Sequence, residues 1–297
     1  MTQTPSTGPA GSPAGPVWVP SEAELGRRRI RKAQDRRRAL VAAVSSFVVI
    51  GGLVLVVGTS QGWPVVQETF FNVQYGWEIL PLLLEAFRLN LVLWVIAAVA
   101  IGVLSMLLAL TRTSTSAALA PLRFLATVYV DVFRGTPLLL VIYLIGFGIP
   151  ALQLTDRPIP VVVLGTTAVI ITYAAYVAEV IRSGILSVHP SQRAAARSLG
   201  LSQVQTLRYV VLPQALRRVV PPLLNDLVAL LKDVGLISVL GVVEVIRQAQ
   251  ILTSKSFNFT PYVVASILFL VVTIPLTRLT DRVLERTIAR QNAQGSA

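Results

Sequence analysis

The sequence contains no cysteine, which excludes a disulfide framework, a thiolate nucleophile and a cysteine metal site. His189 is its only histidine, and neither the His-Glu-x-x-His motif of metalloproteases nor the Gly-x-Ser-x-Gly motif of serine hydrolases occurs. A membrane enzyme, the main alternative from another class, therefore has no recognisable catalytic group. The Gly-x-x-x-x-Gly-Lys-Ser/Thr phosphate loop is missing as well, so the chain is not expected to hydrolyse ATP by itself.

Charged side chains are scarce. They make up 13% of the 297 residues, whereas hydrophobic residues make up 54%, and the mean hydropathy is +0.70. An average soluble domain has about 25% charged residues, and a membrane-spanning helix needs about 20 consecutive apolar residues. The composition and the long uncharged runs predict an all-α integral membrane protein.

Six apolar runs are candidate spans and predict a bundle of about six transmembrane helices. They are residues 40–58, 89–111, 138–152, 158–178, 223–243 and 256–277. The first belongs to an additional N-terminal helix at 39–60, preceded by a basic tail at 1–38 that is predicted to be disordered. The main transmembrane domain covers 85–285, and residues 286–297 form a second tail.

The net charge of +12 is unevenly distributed. Basic residues cluster before the first apolar run, around the polar stretch 190–213 and after the last run. Cytoplasmic segments of membrane proteins carry such an excess of Lys and Arg. Both termini are therefore predicted to be cytoplasmic in a multi-pass protein of the cell membrane. The N-terminal cluster is expected to contact anionic lipid rather than nucleic acid.

A cleaved signal peptide is the alternative interpretation of the run 40–58. The long polar region before it, the length of the apolar core and the lack of a clear cleavage site favour a retained helix.

The polar stretch 190–213 has helical signals of its own. Ser191 is expected to cap a first helix that contains several alanines, and Gly200 to end it in the left-handed conformation. Ser202 and Gln205 have the spacing of a capping box, which starts a second helix. Pro213 is expected to stop that helix. Its apolar stripe consists of Val204, Leu207, Val210 and Val211. Two short helices around a glycine suit the docking of a soluble partner.

Charged residues within apolar runs are candidates for a transport pathway. Lys232 and Asp233 interrupt the fifth run, near Asn225, Asp226 and several prolines and glycines, and such interrupted segments point to substrate sites in transporters. The alternative is that Lys232 forms an ion pair with Asp233, Asp226 or Glu179 that holds the bundle together.

Two further charged residues have both a pathway and a structural interpretation. Arg134 precedes the helix break Gly135-Thr136-Pro137 and is either a pathway residue or an anchor at the lipid headgroups. Glu179 is expected to pair with Arg182 or another cytoplasmic arginine, with proton coupling as the alternative.

Four segments occur in an order known from one family. They are Arg134-Gly135-Thr136-Pro137, Ala175 to Arg182, the polar stretch with Leu212-Pro213-Gln214-Ala215, and Pro221-Pro222 through Lys232-Asp233. Over roughly residues 85–285 the sequence resembles the permease subunits of type I ATP-binding-cassette importers for polar amino acids. In that family a Glu-Ala-Ala loop, followed by a glycine and a Leu-Pro, docks on the ATPase subunit. Ala195, Ala196, Gly200, Leu212 and Pro213 fit this pattern, whereas Ala194 stands where the family has glutamate.

The resemblance implies a docking surface made of Ala194, Ala195, Ala196, Gly200, Leu201, Val204, Leu207 and Pro213. It also implies a cytoplasmic ATP-binding subunit, an extracytoplasmic amino-acid-binding protein and a second permease subunit, identical or related. ATP would be bound by the partner, and no cofactor by this chain. The expected function is import of polar or charged amino acids. The alternatives are a membrane scaffold or sensor subunit, a permease for another small solute, or a secondary transporter, which would need no docking loop.

Overall fold

The computed structural model describes residues 21–153 and 157–295, and within these ranges it contains helices and no strand. The predicted all-α fold is confirmed. The helices are α1 (Glu22–Gly58), α2 (Trp63–Phe70), α3 (Val73–Thr113), α4 (Ala120–Gly135), α5 (Leu138–Ala151), α6 (Val161–Ser187), α7 (Pro190–Ser198), α8 (Gln203–Thr206), α9 (Leu212–Asp233), α10 (Val245–Ser256) and α11 (Thr260–Gly295). Short 3-10 segments cover Ala117–Leu119 and Val234–Leu240, and a π turn covers Leu207–Val211.

The described residues up to Pro64 form a compact unit of their own. Its helix α1 begins at Ser21, whose hydroxyl accepts a hydrogen bond from the backbone N–H of Glu24 at 3.3 Å. The predicted disorder is therefore wrong for residues 22–38, because this cap and the acidic first turn favour a helix start. Residues 1–20 of the predicted tail lie outside the described residues. The apolar side chains of α1 after Leu40 are exposed within this unit, as expected for a helix surrounded by lipid.

The second unit, made of the described residues from Val65 onward, is built around α6. This helix packs against α3, α4, α5 and α9, and its buried positions are rich in alanine and glycine. Small residues let membrane helices approach closely. At Gly184 a Cβ atom would collide with Val219 of α9, so the close approach of α6 and α9 depends on that glycine.

Two helix breaks shape the second unit. The axes of α4 and α5 differ by 108°, because Pro137 lacks a backbone N–H and restricts Thr136 to the extended conformation. The second break follows Asp233, where α9 ends in the 3-10 segment and then in Gly241 at φ 90°. The break predicted at Lys232-Asp233 is confirmed, and the run 223–243 is not one continuous helix.

Helices long and apolar enough to cross a membrane are fewer than the predicted runs. Within the described residues they are Gln34–Gly58, Trp63–Thr113, Val161–Ser187 and Thr260–Glu285, with the bent pair α4–α5 as a fifth if it counts as one span. The remaining predicted run is the broken region between α9 and α10.

The corner between α10 and α11 is fastened to the end of α2, just before α3 begins. The side-chain amide of Asn258 donates to the carbonyl of Glu68 at 2.9 Å, and the backbone N–H of Phe259 donates to the carbonyl of Thr69 at 2.6 Å. The ring of Phe259 stacks on Phe70 with centroids 4.8 Å apart. We call this contact the α2–α11 corner.

Candidate functional site

The polar stretch 190–213 forms two short helices. Helix α7 begins at His189, whose Nδ1 accepts a hydrogen bond from the backbone N–H of Ser191 at 3.2 Å. The prediction that Ser191 caps this helix is wrong, because Pro190 occupies the first helical position and moves the cap back by two residues. Gly200 follows α7 at φ 85°, which confirms the predicted left-handed residue.

The second helix starts as predicted and continues further than predicted. Ser202 and Gln205 form the complete capping box. Pro213 does not stop the helix, and that prediction is wrong. The π turn Leu207–Val211 leads into α9, and Pro213 lies in the first turn of α9, where its missing N–H is tolerated. We call residues 190–211 the docking element.

Two arginines bind the end of α6, Arg193 from the docking element and Arg218 from α9. Arg193 donates to the carbonyl of Ile185 at 2.6 Å, and Arg218 donates to the carbonyl of Ser187 and, at 3.0 Å, to its hydroxyl. The last carbonyls of α6 lack helical partners, so these guanidinium groups satisfy them. A displacement of α7 is thereby coupled to the end of α6.

The predicted docking residues differ in exposure. Ala194, Ala195, Gly200, Val204 and Pro213 are exposed, Leu201 and Leu207 are half-buried, and Ala196 is buried, so it packs within the fold. Val204 is 74% exposed.

Sequence reasoning missed two more apolar residues of the docking element. Leu199 is 83% exposed and Tyr209 is 62% exposed. The position of Leu199 next to Gly200 in the sequence could have indicated that Leu199 belongs to the same surface.

The docking element is basic and apolar. From residue 180 to residue 225 the sequence has no Asp or Glu, whereas it has six arginines: Arg182, Arg193, Arg197, Arg208, Arg217 and Arg218. The guanidinium of Arg208 lies 5.6 Å from the ring centre of Tyr209. Exposed apolar residues surrounded by cations are suited to a protein partner with apolar and acidic groups.

Glu179 lies among three arginines. Its carboxylate contacts Arg112 at 2.6 Å, Arg182 at 2.5 Å and Arg134 at 4.0 Å. The predicted pairing with Arg182 is confirmed. This cluster joins α3, α4 and α6, as the structural interpretation of Glu179 and Arg134 expects.

The remaining pathway candidates do not form one site. Asp233 accepts a hydrogen bond from the hydroxyl of Tyr173 at 2.6 Å, whereas Lys232 and Asn225 are exposed. None of the ion pairs among the described residues involves Lys232. The alternative of an ion pair from Lys232 to Asp233, Asp226 or Glu179 is therefore not found there.

Asp226 lines a cavity of about 320 Å³ between α3, α6 and α9. The other polar groups at its wall are Ser105 and Tyr173, and the rest of the lining is apolar. A cavity of this size falls within the range of about 300–1,000 Å³ of small-molecule sites.

A second cavity, of about 450 Å³, lies where α5 faces the break between α9 and α10. It is lined by Tyr143, Phe147, residues 238–241, Arg247 and Gln250. We call it the Arg247 cavity. Sequence reasoning missed Arg247, because the arginine follows the fifth apolar run rather than interrupting it.

Beside the Arg247 cavity, Glu244 is completely buried. Its carboxylate accepts a hydrogen bond from the side-chain amide of Asn90 at 2.9 Å and from the backbone N–H of Arg247 at 2.8 Å. Asn90 in turn accepts from the backbone N–H of Val245 at 3.1 Å. Glu244 thus caps α10 and ties it to α3, a long-range contact that the sequence alone did not predict.

The sequence is similar to those of known transport proteins. Residues 113–289 match the family described as binding-protein-dependent transport system inner membrane component. The L-cystine transport system permease protein TcyB of Bacillus subtilis is 32% identical over 81% of this chain and 97% of its own length. The glutamine transport system permease protein GlnP of Escherichia coli K12 is 33% identical over 71% of this chain and 94% of its own length.

Solved structures agree. One is the crystal structure of an amino acid ABC transporter with histidines, which is 34% identical in sequence and has a TM-score of 0.63. The match covers 69% of this chain and 94% of the transporter chain. An inward-facing structure of the MetNI methionine ABC transporter shares the fold, with a TM-score of 0.55 at 20% identity over 71% of this chain and 98% of its own.

The fold and the apolar spans define a multi-pass membrane permease. This chain belongs to the family of inner membrane components of binding-protein-dependent transport systems. The predicted membership among the permease subunits of ATP-binding-cassette importers is confirmed. It is the transporter component of such a system.

Proposed function

We propose that this chain forms the substrate pathway of an ATP-driven importer for polar or charged amino acids. The relatives named above are permeases for glutamine and cystine, and an arginine transport system permease of Bacillus subtilis is 32% identical over 67% of this chain. The cavities beside Asp226 and Arg247 carry charges of opposite sign, which suits zwitterionic substrates.

The docking element is the observation that supports coupling of this chain to a separate ATPase. Its helices present Leu199, Val204 and Tyr209 to the outside, Arg193 bonds it to α6, and Arg218 bonds the following helix α9 to α6. A cytoplasmic ATPase subunit that binds ATP is the proposed partner at this surface. Movement of that subunit would reach α6 through the two arginines.

Further parts complete the proposed assembly. An extracytoplasmic binding protein delivers the amino acid, and a second permease subunit, identical or related, forms the other half of the pathway. Both termini and the docking element lie in the cytoplasm, in accordance with their excess of basic residues. The cell membrane surrounds α1 and the outer faces of the bundle.

The test is uptake of labelled amino acids by cells with and without this chain, with its ATPase and binding protein left in place. Loss of uptake for a polar or charged group of amino acids supports the proposal and names the substrate. Unchanged uptake across acidic, basic and amide side chains contradicts it. Restoring the chain on a plasmid is the control.

A further inference from the structure

We propose that the Arg247 cavity binds the α-carboxylate and α-ammonium groups that all amino acid substrates share. The proposal rests on the proposed function, because it concerns amino acids passing through this permease. It assigns the carboxylate to Arg247 and the ammonium group to the aromatic wall of α5.

The guanidinium of Arg247 is available for a ligand. Its Nη1 donates to the side-chain oxygen of Gln250 at 2.7 Å, and Arg247 takes part in none of the ion pairs among the described residues. The planar guanidinium matches a carboxylate with two parallel hydrogen bonds. Gln250 adds amide N–H donors at the same edge of the cavity.

The nearest acidic group to Arg247 along the chain is already engaged. Glu244 lies one turn earlier on α10, is fully buried, and is bound by Asn90 and by backbone N–H groups. It fixes the start of α10 and so the direction in which the helix presents Arg247. The half-buried side chain of Arg247 therefore has no acidic partner on its own helix and lines the cavity.

The opposite wall suits an ammonium group. Tyr143 and Phe147 of α5 stack with centroids 5.8 Å apart and planes within 15°, and both line the cavity. Cations bind to the faces of aromatic rings. Gly241, at φ 90° with open space where a Cβ would stand, turns the backbone at the same cavity.

The volume leaves room for a side chain. About 450 Å³ lies within the range of about 300–1,000 Å³ of small-molecule sites. Since the arginine and the aromatic pair hold only the groups common to every α-amino acid, the site is expected to select for the zwitterion and not for one side chain.

Binding is measured on the purified permease–ATPase complex without the binding protein, by saturation-transfer NMR. The probes are L-glutamine and L-arginine, each compared with its α-carboxamide, in which the carboxylate is replaced by a neutral amide. We expect signals from both amino acids and much weaker signals from both amides. Equal signals from acids and amides would overturn the assignment of the carboxylate.

Three variants locate the binding. Arg247→Gln is expected to weaken binding at least about tenfold, because a charge-assisted pair of hydrogen bonds is lost. Arg247→Lys keeps the charge without the fork geometry and is expected to be intermediate. Lys255→Gln removes a cation from the last turn of the same helix, outside the cavity, and is expected to bind as the unchanged protein does.

Transport and ATP hydrolysis separate a binding role from a structural one. In proteoliposomes, Arg247→Gln is expected to lose uptake while binding-protein-stimulated ATP hydrolysis persists. Loss of both in parallel, or uptake equal to that of the unchanged protein, overturns the inference. If the unchanged complex takes up no amino acid, the proposed function fails, whereas the comparison of acids and amides still reports on the cavity.

Discussion

The docking element and the break between α9 and α10 are both short irregular regions, but they are stabilised differently. The docking element is exposed, and Arg193 within it and Arg218 of the adjoining helix α9 donate to backbone carbonyls of α6. The break is buried, and its fastening bonds join Glu244 to Asn90, which is 154 residues away in the chain. The difference suggests that changes at the break impair folding, whereas changes in the docking element impair coupling in a folded protein.

The largest expected effect is at the buried region. Glu244→Ala removes the cap of α10 and leaves the amide of Asn90 buried without its acceptor, at a cost of about 2–4 kcal/mol in stability. The measurement is the fraction of purified protein that stays monodisperse after heating in detergent. Glu85→Ala, at an exposed position on α3, is the control. Equal thermal stability of the two variants would contradict the expectation that changes at the break between α9 and α10 impair folding.

A smaller effect, on activity alone, is expected at Gly200. Gly200→Val forces a β-branched residue into the left-handed conformation, which costs about 1–2 kcal/mol for an L-residue, so uptake should fall about tenfold with normal membrane insertion. Asparagine tolerates this conformation, and Gly200→Asn should keep most of the uptake. If valine and asparagine act alike, the left-handed turn is not what coupling requires.

The smallest effect is expected at the exposed surface of the docking element. Val204→Asp places a carboxylate in the proposed contact and is expected to reduce ATPase binding about fivefold, equivalent to about 1 kcal/mol. Thermal stability should stay within about 0.5 kcal/mol, as for most surface substitutions. Co-purification of the ATPase subunit measures the binding. Val73→Asp makes the same change at another valine, 71% exposed against 74% for Val204. A loss of ATPase in both variants would contradict a specific contact.

The parts of this structure that the sequence predicted are local. The capping box of Ser202 and Gln205 and the left-handed Gly200 depend on residues within one or two helical turns, so their spacing is sufficient. The pairing of Glu179 with Arg182 is also one turn long. The helix break after Asp233 followed from charges and glycines within an apolar run.

The wrong or missing predictions concern places where distant or competing contacts determine the local structure. Pro213 looked like a helix end because proline usually is one, but the π turn before it lets the helix restart with proline in its first turn. Disorder at 22–38 was predicted from charge and composition, whereas the Ser21 cap and the acidic first turn start a helix. The bond of Glu244 to Asn90 depends on how α3 and α10 pack, and no local pattern marks it.

The α2–α11 corner has a consequence for the order in which the protein is made. Asn258 reaches the carbonyl of Glu68, and Thr260 accepts from the backbone N–H of Asn72, across separations of 190 and 188 residues. The end of α2 and the cap of α3 therefore acquire these partners only after most of the chain has been synthesised and inserted. A chain whose synthesis stops before residue 257 lacks these bonds, although Asn90 of its helix α3 can already pair with Glu244.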